Sequence, residues 1–174
     1  DDGSYVIEGA KSMVAFGPEA KLLLVFADTV QEGAQCFLVS GDTAGVSFDR
    51  EDYMGLRPLP LYAMTLDKVA VPASARLGAG LDLKRILSLS RIATAALAVG
   101  TCQAVLDYVI PYVNERVAFG EPISNRQAVA FMVADMATEI EGLRLMVYRA
   151  AAQAEQGLDC TRSAFLAHRN AVKY

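Results

Sequence analysis

The chain has 174 residues, of which 53% are hydrophobic and 21% are charged, and its formal net charge is −4. This length and apolar content are enough for one packed domain or two small ones. The negative charge and the scattered Lys and Arg residues argue against a nucleic-acid-binding protein, because such proteins concentrate basic residues to displace counterions from phosphates.

The cysteines and the single histidine are too dispersed for a metal site. Cys36, Cys102 and Cys160 are far apart with no CxxC spacing, and His168 is the only histidine. An odd set of separated cysteines is typical of reduced thiols in the core of a cytoplasmic protein. The sequence therefore predicts a cytoplasmic protein without a zinc site.

Hydropathy gives no sign of a membrane segment. No stretch of about eighteen residues lacks charged and polar breaks, as a membrane span requires. The apolar run Ile92 to Val99 is flanked by Arg91 and Thr101, so it is interpreted as part of a buried helix. The first residues also lack the pattern of a secretory signal.

Residues 1–75 have the pattern of a small β-domain. The β-rich runs cover residues 4–8, 21–27, 35–39, 45–48 and 61–71. Turn residues separate them at Gly9, Gly17-Pro18, Gly33, Gly41-Asp42 and Pro58-Leu59-Pro60. Short strands at this spacing predict a small antiparallel β-barrel or sandwich.

Residues 76–174 change to a helical period. A first helix from Asp82 to Val117 is apolar on most faces, which predicts burial among other helices, and Pro111 is expected to kink it. Ser124 and Gln127 have the spacing of a capping box at the start of a second helix, which Gly157 ends. The apolar residues of this helix are Phe131, Met132, Met136, Ile140, Leu143 and Met146.

A third helix begins near Thr161. The fold class predicted is therefore α+β, with a β-domain over residues 1–75 and an up-down helical bundle over residues 76–174. Three helices with broad apolar faces lack a fourth to cover them. This and the abrupt start at Asp1 predict that the chain is part of a longer protein.

Three motif stretches are informative in combination. Residues 9–20 read GAKSMVAFGPEA, close to G-x-K-x-W-I-[TS]-N-G-G-x-A. The motif G-x-R is matched by Gly55-Leu56-Arg57. The motif D-V-x-V-P is matched, with some changes, by residues 67–72, which read DKVAVP. The motif E-R-x-x-F-G-x-x-[IL]-x-x-x-Q is matched by Glu115, Arg116, Phe119, Gly120, Ile123 and Gln127. In this order the motifs resemble the middle β-domain and the start of the C-terminal helical domain of the acyl-CoA dehydrogenases.

The resemblance implies a bound FAD and an acyl-CoA thioester substrate. In this family a carboxylate removes the α-proton while the β-hydride passes to flavin N5, so base, substrate and flavin must be held in line. Members pass electrons to an electron-transferring flavoprotein. They are usually tetramers, arranged as dimers of dimers, in which the Arg-x-x-Phe segment of one subunit reaches the FAD of its neighbour.

Arg116 is the first candidate for cofactor binding, because a permanent guanidinium charge suits the FAD pyrophosphate. Attraction of an Arg to the C-terminal end of the helix dipole is the alternative explanation. The family register places further cofactor contacts at Ala118, Phe119, Ile123, Arg126 and Gln127. Gln127 has the alternative role of serving only the capping box.

The strand that faces the flavin in the family differs here. Met13 stands where most members have Trp, and Ala15 replaces a Thr or Ser that reaches the flavin near N5. Phe16 replaces the following Asn. Met is polarizable and can cover an aromatic face, so Met13 and Ala15 are kept as cofactor-binding candidates, with a plain core strand as the alternative.

No catalytic base is recognised in this chain. Most members carry a Glu in a segment that would follow Tyr174, and a minority carry it on the first long helix before an Arg. In this register that position is Ser90, before Arg91, and a serine cannot remove an α-proton unaided. Leu87, Ser90 and Arg91 are candidates to line the acyl pocket, and a buried helix face is the alternative for Leu87 and Ser90.

Two functional hypotheses follow. In the first, the protein is an FAD-dependent acyl-CoA dehydrogenase, a homo- or hetero-tetramer whose catalytic base lies outside these residues. In the second, it is a non-catalytic partner subunit of a hetero-oligomer that completes a neighbour's FAD site. The second hypothesis accounts for a preserved Arg116 and Phe119 beside an altered flavin-facing strand.

Overall fold

The computed structural model describes residues 3–30, 32–55, 57–78 and 81–173. Leu56 of the Gly-x-Arg motif and the last residue, Tyr174, lie outside the described residues. The chain divides into two compact units, residues 1–81 and residues 82–174. The boundary predicted from the change of period, at residue 75, precedes this division by a few residues.

The described residues of the first unit form five antiparallel strands in two sheets. The strands are β1 (Tyr5–Ala15), β2 (Leu22–Thr29), β3 (Gly33–Ser40), β4 (Val46–Glu51) and β5 (Leu61–Val71). One sheet has the order β1-β5-β4, and the other pairs β2 with β3. The hydrophobic core cluster draws on both sheets and consists of Ile7, Leu23, Val25, Phe37, Val39, Met64, Leu66, Val69 and Val71. The prediction of a small antiparallel β-domain is confirmed.

The predicted break at Gly9 is wrong, because β1 continues through it to Ala15. The pairing of β1 with β5 shifts between Ile7 and Gly9 and again between Lys11 and Val14. Such bulges let a strand bend while its partner strand stays paired. Strand β1 is therefore longer than predicted. Its second register shift, between Lys11 and Val14, lies in the segment that the family resemblance places against the flavin.

Over its described residues, 82–173, the second unit has three α-helices and a short hairpin. The helices are α1 (Leu83–Glu115), α2 (Gln127–Glu155) and α3 (Thr161–Ala171), and the hairpin strands are β6 (Val117–Ala118) and β7 (Glu121–Pro122). Asp82 caps α1, with its carboxylate accepting from the Arg85 N–H at 2.9 Å. The Leu158 N–H donates to the Gln153 carbonyl at 2.9 Å past Gly157, as in a Schellman motif.

Helix α1 is less buried in this chain than its composition predicts. One side packs on α2 and α3 through Ile92, Ala95 and Val99. The large apolar residues of α1 that remain exposed are Ile86, Leu87, Leu89, Leu97, Val105, Tyr108, Ile110 and Tyr112. The prediction of burial on most faces is therefore wrong for these residues, because two neighbouring helices cover only part of a helix surface.

Among the described residues, α1 is the one helix long and apolar enough to cross a membrane, with a window of mean hydropathy 1.5. Length and composition alone are weak evidence, because the core helices of soluble proteins meet the same criterion. The absence of a membrane span stays a prediction.

Candidate functional site

The hairpin that joins α1 to α2 presents an aromatic side chain. Strands β6 and β7 are linked by Phe119 and Gly120, whose φ angles are +56° and +83°. Two positive φ values are what a type I′ hairpin turn requires, and they suit glycine far better than phenylalanine. The Phe119 side chain is 96% exposed. A strained residue with an exposed aromatic ring is characteristic of a binding site.

Arg126 holds this hairpin in place. Its guanidinium forms an ion pair with Glu121 at 3.1 Å and lies 5.6 Å from the centroid of the Phe119 ring. The Asn125 amide donates to the same carboxylate at 3.2 Å. The charge of Arg126 is therefore engaged within the chain, which favours a role in positioning Phe119 over direct contact with a cofactor.

Replacing Arg126 with Gln is expected to loosen the hairpin. Exposed ion pairs contribute about 0 to 1 kcal/mol and exposed cation–π contacts about 0.5 to 1 kcal/mol, so the amides of residues 117–121 should exchange hydrogen about fivefold faster. Arg162→Gln removes the same charge from an exposed position on α3 and serves as the control. Unchanged exchange in the hairpin would show that Arg126 does not support it.

Arg116 lies at the junction of α1 and the hairpin. Its N–H donates to the Tyr112 carbonyl and its carbonyl accepts from the Ile123 N–H, both at 2.9 Å. The side chain is exposed. Within the described part of the chain its guanidinium makes no hydrogen bond and no ion pair, so its donors are available to an external anion. As the C-cap residue of α1, Arg116 also fits the helix-dipole explanation.

The predicted capping box is wrong. Ser124 lies in a 3₁₀ turn, Ile123–Asn125, and α2 begins at Gln127 after Arg126 without a side-chain cap. The Ile123 N–H donates to the Arg116 carbonyl, so the segment just before α2 is bonded to the end of α1. Gln127 is exposed and its side chain makes no hydrogen bond to another described residue, so the capping role is excluded and the amide is available to a ligand.

The remaining candidates of this segment are less exposed. Ala118 and Ile123 are half-buried and lie on either side of Phe119 in the chain. The connection between α1 and α2 thus presents three groups to solvent. They are the Arg116 guanidinium, the Phe119 ring and the Gln127 amide.

In the first unit, the end of β1 exposes apolar side chains. Met13 is 60% exposed and Phe16 is 47% exposed, and Ala15 is also exposed. These exposures argue against the alternative of a plain core strand. The carboxylate of Glu51 accepts a hydrogen bond from the Met13 N–H. Glu51 was not among the predicted site residues, because no local sequence pattern indicates that a residue 38 positions away contacts β1.

The candidates on α1 lie near its start. Leu87 is 45% exposed and Ser90 is exposed, so the alternative of a buried helix face is wrong for both. Arg91 is half-buried, with its guanidinium 5.7 Å from the Phe165 ring centroid. The Ser90 carbonyl accepts from the Thr94 hydroxyl at 2.8 Å. Neither Leu87 nor Ser90 supplies a carboxylate.

Comparison with known proteins agrees with both units. Residues 1–69 match the acyl-CoA dehydrogenase middle domain, and residues 78–172 match the acyl-CoA dehydrogenase C-terminal domain. The short/branched chain specific acyl-CoA dehydrogenase of Rattus norvegicus mitochondria is 37% identical over 172 residues, which are 94% of this chain and 40% of that protein.

Solved structures give the same result. Butyryl-CoA dehydrogenase from Megasphaera elsdenii superposes with a TM-score of 0.86 at 33% identity, over 99% of this chain and 48% of that one. A structure described as an FAD-dependent dehydrogenase superposes with a TM-score of 0.88 at 31% identity, over 99% of this chain and 49% of that one. The chain thus spans less than half of the length of these relatives.

Proposed function

Because the chain belongs to the acyl-CoA dehydrogenase family, we propose that it is part of an FAD-dependent enzyme that oxidises the α,β-bond of an acyl-CoA thioester. The observation that carries the proposal is the exposed Arg116, three residues before the strained and exposed Phe119. The Arg116 guanidinium suits the pyrophosphate of FAD, because a guanidinium binds phosphate oxygens. The Phe119 ring suits an apolar surface of the cofactor, because aromatic rings pack on such surfaces.

The chemistry of the donor set fits FAD. Arg116 offers planar, permanently charged donors for the pyrophosphate, and Gln127 offers an amide toward the adenine half. We propose that Ala118 and Ile123, which are half-buried on the same connection, add apolar contacts to the cofactor. When bound, FAD accepts the β-hydride of the substrate at N5. Because Arg116 and Phe119 are exposed on this connection, we propose that these residues reach the FAD of a neighbouring subunit in a tetramer.

The α-proton needs a carboxylate base, and we propose that this base lies outside the 174 residues. Ser90 cannot take the role, because a serine hydroxyl is too weakly basic without an adjacent base. Leu87 and Arg91 remain proposed neighbours of the acyl chain. We propose an electron-transferring flavoprotein as the electron acceptor, and the cytoplasmic location stays a prediction.

The alternative is a non-catalytic subunit that completes the FAD site of a companion chain. The observation in its favour is the flavin-facing strand, where Met13, Ala15 and Phe16 replace the Trp, Thr or Ser, and Asn of the family. Under this alternative Arg116 and Phe119 keep their role toward the companion, while the subunit's own strand has lost its flavin.

Purification of the full-length protein separates the two proposals. An enzyme is expected to be yellow when purified alone and to lose its visible flavin absorption when an acyl-CoA is added without oxygen, since the flavin is then reduced. Free CoA serves as the control, because it has no acyl α,β-bond. A colourless protein that acquires flavin only on co-expression with a related chain would overturn the enzyme proposal in favour of the partner subunit.

A further inference from the structure

Strand β1 contains a bulge at the residues assigned to face the flavin. Ser12 and Met13 together lie opposite the single residue Ala63 of β5, because the pairing shifts between Lys11 and Val14. Met13 has a φ of +57°, a left-handed conformation that costs a residue with a side chain about 1 to 2 kcal/mol. A bulged residue also loses its regular partner on the neighbouring strand. The conformation therefore needs support from elsewhere.

Glu51 supplies that support. It is the last residue of β4, which pairs with the opposite edge of β5, so its side chain reaches across the central strand. The Met13 N–H donates to Glu51 Oε2 at 2.9 Å, and the Ser12 hydroxyl lies 3.2 Å from both carboxylate oxygens. The pKa of Glu51 lies below its ordinary value, chiefly because the Met13 N–H donates to the carboxylate.

The hydrogen bonds from Met13 and Ser12 to Glu51 hold one end of an exposed apolar segment, residues 13–16. Phe16, three residues after Met13, also has a left-handed φ, of +52°, and its N–H donates to the Pro60 carbonyl at 3.0 Å. Both side chains project into solvent. A methionine and a phenylalanine fixed in this way form a surface suited to a planar aromatic ring, through sulfur–aromatic and ring–ring contacts.

We propose that Glu51 is a positioning residue of the flavin site, whose carboxylate sets the Ser12–Met13 bulge and thereby directs the Met13 side chain against the flavin ring. This inference rests on the proposed function. In this proposal Glu51 does not touch the flavin and acts through its hydrogen bond to the Met13 backbone. Removing the carboxylate leaves the β4–β5 pairing in place, so the main effect is expected on the bulge.

The test compares Glu51→Ala, Glu51→Gln and the control Asp49→Asn in the full-length protein. Asp49 is an exposed carboxylate two residues earlier on β4, and among the described residues the hydrogen bonds to the bulge come from Glu51 and not from Asp49. Glu51→Ala removes the acceptor and is expected to weaken FAD binding by about tenfold, because the Met13 side chain is then no longer held in its binding conformation. Glu51→Gln keeps one oxygen acceptor and should give a smaller loss. Asp49→Asn should bind as the wild type does.

A second measurement distinguishes positioning from a purely structural role. The visible circular dichroism of the bound flavin depends on the groups packed on its ring, so it should change in both Glu51 variants at full flavin occupancy. A lower melting temperature with unchanged affinity and an unchanged flavin spectrum would overturn the inference. Glu51→Gln keeps this test available if Glu51→Ala does not fold.

The outcomes also separate this inference from the proposed function. Wild-type protein that binds flavin, with Glu51 variants that bind it equally well, overturns the role of Glu51 alone. Wild-type protein that binds no flavin at its own site overturns both proposals, because the surface around Met13 then has no ring to face.

Discussion

Replacing Arg116 with Gln is expected to lower the affinity of the assembled protein for FAD by about 10- to 100-fold, while the stability of the apoprotein stays unchanged. Hydrogen bonds to charged groups are worth about 1.5 to 3 kcal/mol, which corresponds to this range of affinity. The apoprotein should be unaffected because the guanidinium is exposed and makes no ion pair within the described chain. Titration of the apoprotein with FAD, followed by flavin fluorescence, measures the change.

Two further variants identify the cause of the loss. Arg116→Lys keeps the charge but not the planar fork of donors, so it should fall between the wild type and Arg116→Gln. Arg149→Gln removes an exposed Arg from α2 and should have no effect. If Arg116→Gln binds FAD normally, Arg116 only serves the end of α1, and the cofactor role is refuted. If the protein is a subunit of a hetero-oligomer, the loss of FAD affinity should be measured at the FAD site of the companion chain.

The second large effect is expected on stability, from Gly45→Ala. Gly45 precedes β4 with a φ of +90°, and a Cβ there would lie 2.2 Å from the Asp67 carbonyl oxygen. A left-handed conformation costs about 1 to 2 kcal/mol with a side chain, and displacement of packed backbone adds about 1 to 3 kcal/mol. The free energy of unfolding should therefore fall by about 2 to 5 kcal/mol, a large part of the total for most domains.

Gly33→Ala is the matched control for the close contact. Gly33 also has a positive φ, of +69°, but a Cβ there meets no atom within 4 Å, so only the conformational cost of about 1 to 2 kcal/mol remains. Urea unfolding followed by circular dichroism measures both variants. Equal losses would mean that the Asp67 carbonyl moves aside easily and that the turn before β4 is not tightly packed.

The order and type of the elements were predictable because their signals are local. Strand β5 has the predicted limits, Leu61–Val71, since two prolines precede it and another follows. Helix α1 begins one residue after Asp82, the residue that caps it. Gly157 ends α2 as predicted. In each case the deciding residue lies within a few positions of the boundary.

The candidate site was only partly predictable. Arg116 and Phe119 were found from a motif, but the type I′ turn that exposes Phe119 was not, because phenylalanine is an unfavourable residue for positive φ. The capping box at Ser124 failed although its residues match the pattern. A backbone hydrogen bond from Ile123 to Arg116 overrides that local preference.

The amino-acid sequence by itself determined the two-part organisation, the strand and helix order and the family, because turn residues, periodicity and motifs are properties of short segments. The tertiary structure alone decided which side chains are available for binding. It decided that Glu51 supports Met13, since strand pairing joins residues 38 positions apart. It also decided that Arg126 is engaged by Glu121 while Arg116 is not, because the hairpin places the carboxylate beside only one of the two guanidinium groups.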